Sequence, residues 1–324
     1  MTVQGGTRTR VLVVGGWGRC GSTLLDMMLG EVDGFVSAGE VRELWLRGCV
    51  EDRPCGCGDA FSRCAFWTQV GKEAFGGWDH LDLETILRVR YRWDRPWGLP
   101  VLWRRGASRP VGRGDVGTYV DALGRLMAAV AAVAGADVVV DSSKLPTHTL
   151  LLAQNPSLDL SVVHLVRDSR GVAFSNRKQV VKRVTSGEPT LLPRYGVLRT
   201  AVRYDVYNLV NGALAGHFEG SWSRLRYEDL VADPQDNVGR LADQAHGGVR
   251  HDLRFLDGHR MTVGENHMVD GNPVRFTRDT MTLAVDDEWR RRLARGERRT
   301  VTALTWPLLR RYGYVGSSRR SSTR

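Results

Sequence analysis

Three features of the sequence predict an α/β fold with a central parallel sheet flanked by helices. Residues 11–29, VLVVGGWGRCGSTLLDMML, read as a buried strand that breaks into a glycine-rich turn and continues as an amphipathic helix. A strand, helix, strand, helix alternation follows over residues 138–183. The polar clusters DSSK (141–144) and RDSR (167–170) close the two strands of that alternation, where open parallel sheets bind their ligands.

The first of these elements is a phosphate cradle. Four apolar residues, Val11 to Val14, suit a buried strand; Ser22 and Thr23 then open a helix with Leu24, Leu25, Met28 and Leu29 at helical spacing. Free N–H groups and the positive dipole end at such a helix start face an anion. Against the nucleotide-kinase pattern GxxxxGK[ST], residues 16–23 keep both glycines and the hydroxyl, but Ser22 stands at the lysine position. The nearest cation is Arg19, inside the loop. This argues against a magnesium triphosphate and for a donor with a shorter anionic tail.

Residues 31–39 read as a turn-rich connection, and Glu40 begins a short helical segment, EVRELW. All five cysteines lie in the first fifth of the chain: Cys20, then Cys49, Cys55, Cys57 and Cys64 in CVEDRPCGCGDAFSRC. The last four are enough for a metal, yet CxC is not the usual CxxC knuckle, and a reducing compartment disfavours disulfides. Reduced, partly buried thiols in a compact loop are expected, with metal or disulfide as the alternatives. Residues 66–117, rich in Trp, Arg, Gly and Pro, read as an insertion, either an acceptor-binding lid or an irregular packed flap.

Order returns at residues 118–135, where a capping Thr118, apolar Leu123, Leu126, Met127, Val130 and Val133, and a closing Gly135 predict a core-facing helix. Residues 138–140 form a strand into DSSK, 147–154 a helix, and 160–166 a strand ending at Arg167. Residues 171–183 read as a helix carrying Ser175, and 199–214 as another. WSRLRYEDL gives a short strand ending near Tyr227, Asp233-Pro234 starts a further helix, and 286–314 look helical with a break or kink at Pro307. The domain reading is a flexible leader over 1–9, a single domain over 10–315 and a disordered basic tail over 316–324.

The composition bounds the function. With 324 residues, 42% of them hydrophobic, the chain can bury a real core, and 46 Lys and Arg against 36 Asp and Glu give +10 and favour anionic ligands. No apolar run of bilayer-spanning length and no signal-peptide core stand out, so a cytoplasmic location is expected. Arg167 at a strand end and Ser175 on the next helix form a second anion site. Two separated anion sites on one sheet edge fit a ligand phosphorylated at two places, such as a nucleoside 3′,5′-bisphosphate.

Taken in order, GGWGRCGSTLL, VVVDSSK, HLVRDSRGVAFS, RYEDL and HMVDGNPVRF resemble the sulfotransferases that use 3′-phosphoadenosine-5′-phosphosulfate (PAPS). The resemblance runs from Val11 to about Tyr314, and CGCGDAFSRCAFW resembles a cysteine-bearing insert common in bacterial members. It implies a P-loop-NTPase-like three-layer fold with inserted lids. Gly18, Arg19, Cys20, Gly21, Ser22, Thr23 and Leu24 would hold the 5′-phosphosulfate, and Arg167 with Ser175 the 3′-phosphate. Tyr227 would lie near the adenine, and Gly271, Asn272 and Arg275 would close over the donor, Arg275 toward the 3′-phosphate.

The same resemblance supplies catalytic roles. Glu40 lies in a loop, helix and GE element similar to that of the tyrosylprotein sulfotransferases, where a glutamate is the base; the cytosolic small-molecule branch uses a histidine, which makes His148 the runner-up. His164, inside a strand, reads as structural. Lys144 with Arg19 would neutralise the bridging oxygen, and Ser143 would hold Lys144 until acceptor binds. The implied reaction moves a sulfuryl group from PAPS to a hydroxyl of a carbohydrate or a specialised metabolite (nucleoside, lipid-linked or aromatic), releases 3′,5′-ADP and requires no metal. The implied partner is a small-molecule acceptor; neither nucleic acid nor a stable membrane anchor is implied, and a homodimer stays open. Two other readings stand beside it, a P-loop small-molecule kinase and a basic nucleic-acid-binding protein.

Overall fold

The computed structural model describes residues 8–105, 114–178, 181–182, 190–191, 194–217 and 220–316. In chain order it opens with β1 (Thr9–Gly16), α1 (Ser22–Gly30), β2 (Phe35–Gly39) and a short α2 (Val41–Glu43) that runs into a π-helical turn at Leu44–Gly48. Helices α3 (Ala65–Phe75), α4 (Leu83–Trp93), α5 (Leu99–Arg105) and α6 (Asp115–Ala134) follow, then β3 (Val138–Lys144), α7 (Pro146–Ala153), β4 (Leu158–Val166) and α8 (Ser169–Arg177). A two-stranded pair, β5 (Val181–Lys182) with β6 (Thr190–Leu191), precedes α9 (Val197–Ala213), β7 (Ser221–Arg226), α10 (Tyr227–Ala232) and α11 (Pro234–Ala245). The chain closes with the small antiparallel sheet β8 (Leu256–Asp257), β9 (Arg260–Val263) and β10 (Asp279–Thr282), then α12 (Trp289–Arg292), α13 (Arg295–Leu304) and α14 (Trp306–Arg311).

The main sheet has the order β2-β3-β1-β4-β7, with every neighbour parallel, so β1 is central. Its side chains alternate between two cores. Val11 and Val13 join the cluster of Leu123, Met127 and Trp67; Leu12 and Val14 join that of Leu25, Met28 and Leu241. A strand buried on both faces needs a continuous apolar run, and residues 11–14 supply one. Each such side chain contributes roughly 1.5–3 kcal/mol of burial.

Several expectations are corrected. The connection at residues 31–39 contains an edge strand, β2, whose Phe35, Val36 and Ser37 pair with Val138, Val139 and Val140 of β3. Its run FVSAG is too short and too glycine-bounded to declare itself; the partner strand specifies it. The stretch 66–117 is not an irregular flap but three helices with short turns, and Trp67, Val70, Ile86, Val89 and Leu102 are buried in the core that α6 also faces. Its remaining residues 106–113 lie outside the described ones. The leader ends earlier than expected, because Thr9 already belongs to β1 and its N–H donates to the Ser157 carbonyl. Of the expected tail only Gly316 is described. Helix α8 stops at Arg177, since Lys178 is extended. Over residues 286–314 three short helices replace one, and the expected break at Pro307 is present, between α13 and α14, with Pro307 in the first turn of α14.

Helix α6 is, by length and composition alone, apolar enough to span a bilayer, which the sequence reading passed over. Tyr119, Leu123, Leu126, Met127 and Val130 are buried along it and face the protein's own core. It is a core helix, closed by Gly135 in the left-handed conformation (φ 62°).

Candidate active site

The carboxyl ends of β1, β3 and β4 open into a cleft of about 610 Å³, in the range of small-ligand sites. The loop from β1 to α1 forms its floor. Arg19 adopts φ 70° and Gly21 φ 99°, and α1 starts at Gly21 without a side-chain cap, leaving helix-start N–H groups toward the cleft. Gly21 is required there: a Cβ would lie 2.5 Å from Cδ2 of Tyr227, whose ring packs on the loop backbone. Gly18, Ser22, Thr23 and Leu24 line the cleft with Arg19. Cys20 instead turns its side chain into the core beside Leu12 and Leu25, and burial pushes its thiol up, so only its backbone belongs to the loop.

At one end of the cleft stand Glu40 and Lys144. Glu40 follows β2, and its N–H donates to the Val269 carbonyl at 2.8 Å. Lys144 ends β3 at φ 68°, and its Nζ donates to Glu40 Oε1 at 2.6 Å and to the Ser142 carbonyl at 2.9 Å. Burial raises the Glu40 pKa against the opposing Lys144 charge, and Asp270 adds to the rise. Burial alone would lower Lys144, but Glu40 outweighs it and keeps the ammonium charged. Both elements are tied to α1 by Asp26, fully buried, which accepts from Ser37 Oγ of β2 and Ser142 Oγ of β3, each at 2.5 Å. Burial pushes Asp26 to about 7.

At the other end, Arg167 closes β4. Its Nη1 donates to the Arg19 carbonyl at 3.1 Å, its Nη2 pairs with Asp286 at 3.1 Å, and its guanidinium lies 4.5 Å from the Tyr227 ring centroid. The Tyr204 hydroxyl donates to the Arg167 carbonyl and fixes the strand end. Arg19 Nε donates to Ser175 Oγ at 2.9 Å, so Arg19 joins the Arg167 group rather than standing beside Lys144. Burial and the Arg167 charge both lower the Arg19 pKa. Asp168 and Arg170 of the same motif pair with each other at the start of α8, and Arg170 stacks on Trp289. Gly271 and Asn272 line the cleft, where the Asn272 N–H donates to Thr23 Oγ1 at 3.2 Å.

Three expected assignments fall elsewhere. Arg275 is buried beneath the loop, donating to the Pro54 and Gly271 carbonyls and lying over the Phe276 ring, and does not line the cleft. Ser143 does not hold Lys144; its hydroxyl donates to Asp141 and accepts from the Arg42 N–H at 3.0 Å. His148 is fully buried between Asp141 (2.8 Å) and Asp94 (3.2 Å), outside the cleft lining. Burial works against its charge, but the two carboxylates outweigh it and raise His148 to about 9, which favours the protonated ring. His164 Nε2 donates to Asn208 Oδ1 at 2.9 Å, and burial lowers the pKa of His164 to about 4.

The cleft also holds residues that the sequence reading missed. Asp286 bridges Arg167 and Lys178, and Trp17, Tyr195 and Asp270 line the walls. Trp17 and Asp270 lie inside the motifs GGWGRCGSTLL and HMVDGNPVRF, whereas nothing local marks Tyr195 and Asp286, which reach the cleft from connections whose path the sheet dictates. No described residue of 66–117 lines the cleft.

Residues 121–247 match the sequence model of the sulfotransferase family, a span that includes DSSK, RDSR and RYEDL but not the glycine loop. Among curated proteins, none matches the chain. Among solved structures, the chain is similar to the sulfotransferase domain of the olefin synthase of Synechococcus PCC 7002, at 18% identity, with 95% of each chain covered and a TM-score of 0.50. It also aligns with the sulfotransferase domain from the curacin biosynthetic pathway, at 16% identity over 91% of this chain and 96% of that one, with a TM-score of 0.46. The chain thus has the α/β fold of that sulfotransferase domain and matches the sulfotransferase family model over residues 121–247.

Proposed function

We propose that the protein transfers a sulfuryl group from PAPS to the hydroxyl of a small-molecule acceptor, with Glu40 as the base. The observation that carries this reading is one cleft with a Glu40–Lys144 pair at one end and Arg19, Arg167 and Ser175 at the other. The residues fit such a donor. The half-buried Arg19 and the buried Arg167 crowd two cations together, a repulsion that a bound phosphate relieves, and the free start of α1 faces the same space.

In this reading Arg167, Ser175 and Arg19 hold the 3′-phosphate, Tyr227 flanks the adenine, and Ser22, Thr23 and the helix N–H groups hold the 5′ end. When bound, PAPS supplies an activated sulfur whose bridging oxygen departs with 3′,5′-ADP. Glu40 accepts the acceptor's O–H proton while that oxygen bonds to sulfur. A raised pKa makes Glu40 a stronger base than an ordinary carboxylate. Lys144 turns from Glu40 to the departing oxygen and stabilises the charge that develops there, which frees Glu40 as a base. A carbohydrate or a specialised metabolite (nucleoside, lipid-linked or aromatic) is the acceptor class that fits, and the cytoplasm the location.

Calorimetric titration tests the donor. PAP should bind in the micromolar range or tighter, ATP with magnesium and an oligonucleotide should not, and Arg167→Ala should weaken PAP about tenfold or more. Tight ATP or oligonucleotide binding with indifference to PAP would favour the kinase or the nucleic-acid reading instead.

A further inference from the structure

Away from the cleft, three cysteines meet a histidine that lies more than two hundred residues later in the chain. Cys64 Sγ is 3.6 Å from Cys55 Sγ and 3.7 Å from Cys57 Sγ; His267 Nδ1 is 3.6 Å from Cys55 Sγ and 3.4 Å from Cys64 Sγ. All four ligand atoms lie within 4.8 Å of one another. A tetrahedral ion with zinc–sulfur bonds of about 2.3 Å and zinc–nitrogen bonds of about 2.05 Å has edges of about 3.8 Å between sulfurs and about 3.6 Å between sulfur and nitrogen. Four of the six edges here have those lengths. Cys49, which the sequence groups with these three, is not among the four.

The surroundings are built to hold this arrangement. His267 stacks on Phe66 with ring centroids 4.6 Å apart, and its carbonyl accepts from Trp67 Nε1 at 2.8 Å. With Nδ1 turned to the thiols, its other ring nitrogen faces Glu265, 3.8 Å away, the orientation that metal-bound histidines take. Between the first two cysteines Gly56 is obligatory, because a Cβ would meet Asn266 Oδ1 at 2.0 Å. The Gly56 N–H donates to the Met268 carbonyl, and Arg278 donates to the Gly56 carbonyl. The CxC spacing is thus the one that lets this loop lie flat on residues 266–268.

We propose that Cys55, Cys57, Cys64 and His267 bind a single zinc ion as a closed, structural site. Three thiolates and an imidazole in a tetrahedron select zinc over hard cations, and four protein ligands leave no open position for chemistry. None of the four lines the cleft. The ion staples the cysteine loop to the segment that ends in Asp270, Gly271 and Asn272, and that segment also pairs with Glu40 through Val269. The site stands whether or not the sulfuryl-transfer reading does.

Elemental analysis of the full-length chain, purified without chelator and dialysed against metal-free buffer, should find about one equivalent of zinc. Cys64→Ser and His267→Ala should lower it to background, whereas Cys49→Ser should keep it. Cobalt-exchanged protein should show the strong d–d bands of a tetrahedral site and thiolate-to-metal charge transfer, and chelation should lower the melting temperature of the wild type. Wild-type protein that holds no zinc after dialysis, carries iron instead, or yields a Cys55–Cys64 disulfide in non-reducing peptide mapping would overturn the proposal, even if the variants fail to fold. No donor or acceptor enters these measurements, so their failure would leave the reaction untouched.

Discussion

At the scale of single residues, environment separates groups that the sequence left as rivals. Glu40 and His148 both stood as bases. Glu40 lines the cleft and has its pKa raised by burial, whereas His148 lies outside the cleft lining, enclosed by two carboxylates that favour its charged form. On the proposed reading, Glu40→Gln should lower kcat by about 10²–10⁴-fold while PAP affinity changes less than about threefold, measured by turnover and calorimetry on the same preparation. Retained turnover would remove Glu40 from the chemistry. Arg19 shows the same dependence on surroundings: a loop residue by motif, it lends its guanidinium to Ser175.

Elements set those environments. The loop from β1 to α1 approaches Tyr227 so closely that only glycine fits at position 21, and its φ of 99° adds backbone strain for any other residue. Gly21→Ala should therefore push the ring off the loop and weaken PAP by about tenfold or more, at a loss of roughly 1–3 kcal/mol in stability, read by calorimetry and denaturant unfolding. Wild-type PAP affinity in that variant would show that the ring and the loop do not share the donor site. The strands act in concert. Asp26 on α1 gathers Ser37 and Ser142, so β2 delivers Glu40 and β3 delivers Lys144 to one point.

For the whole molecule, the buried polar network behind the cleft predicts how stability follows pH. His148 rises from about 6.5 to about 9 in the folded state, so it binds a proton there that the unfolded chain releases earlier. Its contribution is complete below about pH 6.5 and is lost as pH rises through about 9, up to about 3 kcal/mol. Denaturant unfolding should show stability falling between pH 7 and 9, and His148→Asn should be less stable at pH 7 and flatter across that window; an unchanged slope would show that His148 does not titrate there. Much of this architecture was legible in the sequence. The apolar run at residues 11–14, the glycine turn and the polar clusters at the ends of β3 and β4 determined a parallel α/β sheet and marked the strand ends where the proposed anion sites lie, because strand periodicity and helix-start chemistry are local properties. Only the tertiary structure decided the rest. It made a strand of residues 35–39 by giving them β3 as a partner, turned the tryptophan-rich stretch into core helices, buried Arg275 and His148, and brought His267 to three distant cysteines. Burial and long-range pairing arise from contacts among segments far apart in the chain, and a local pattern carries no record of them.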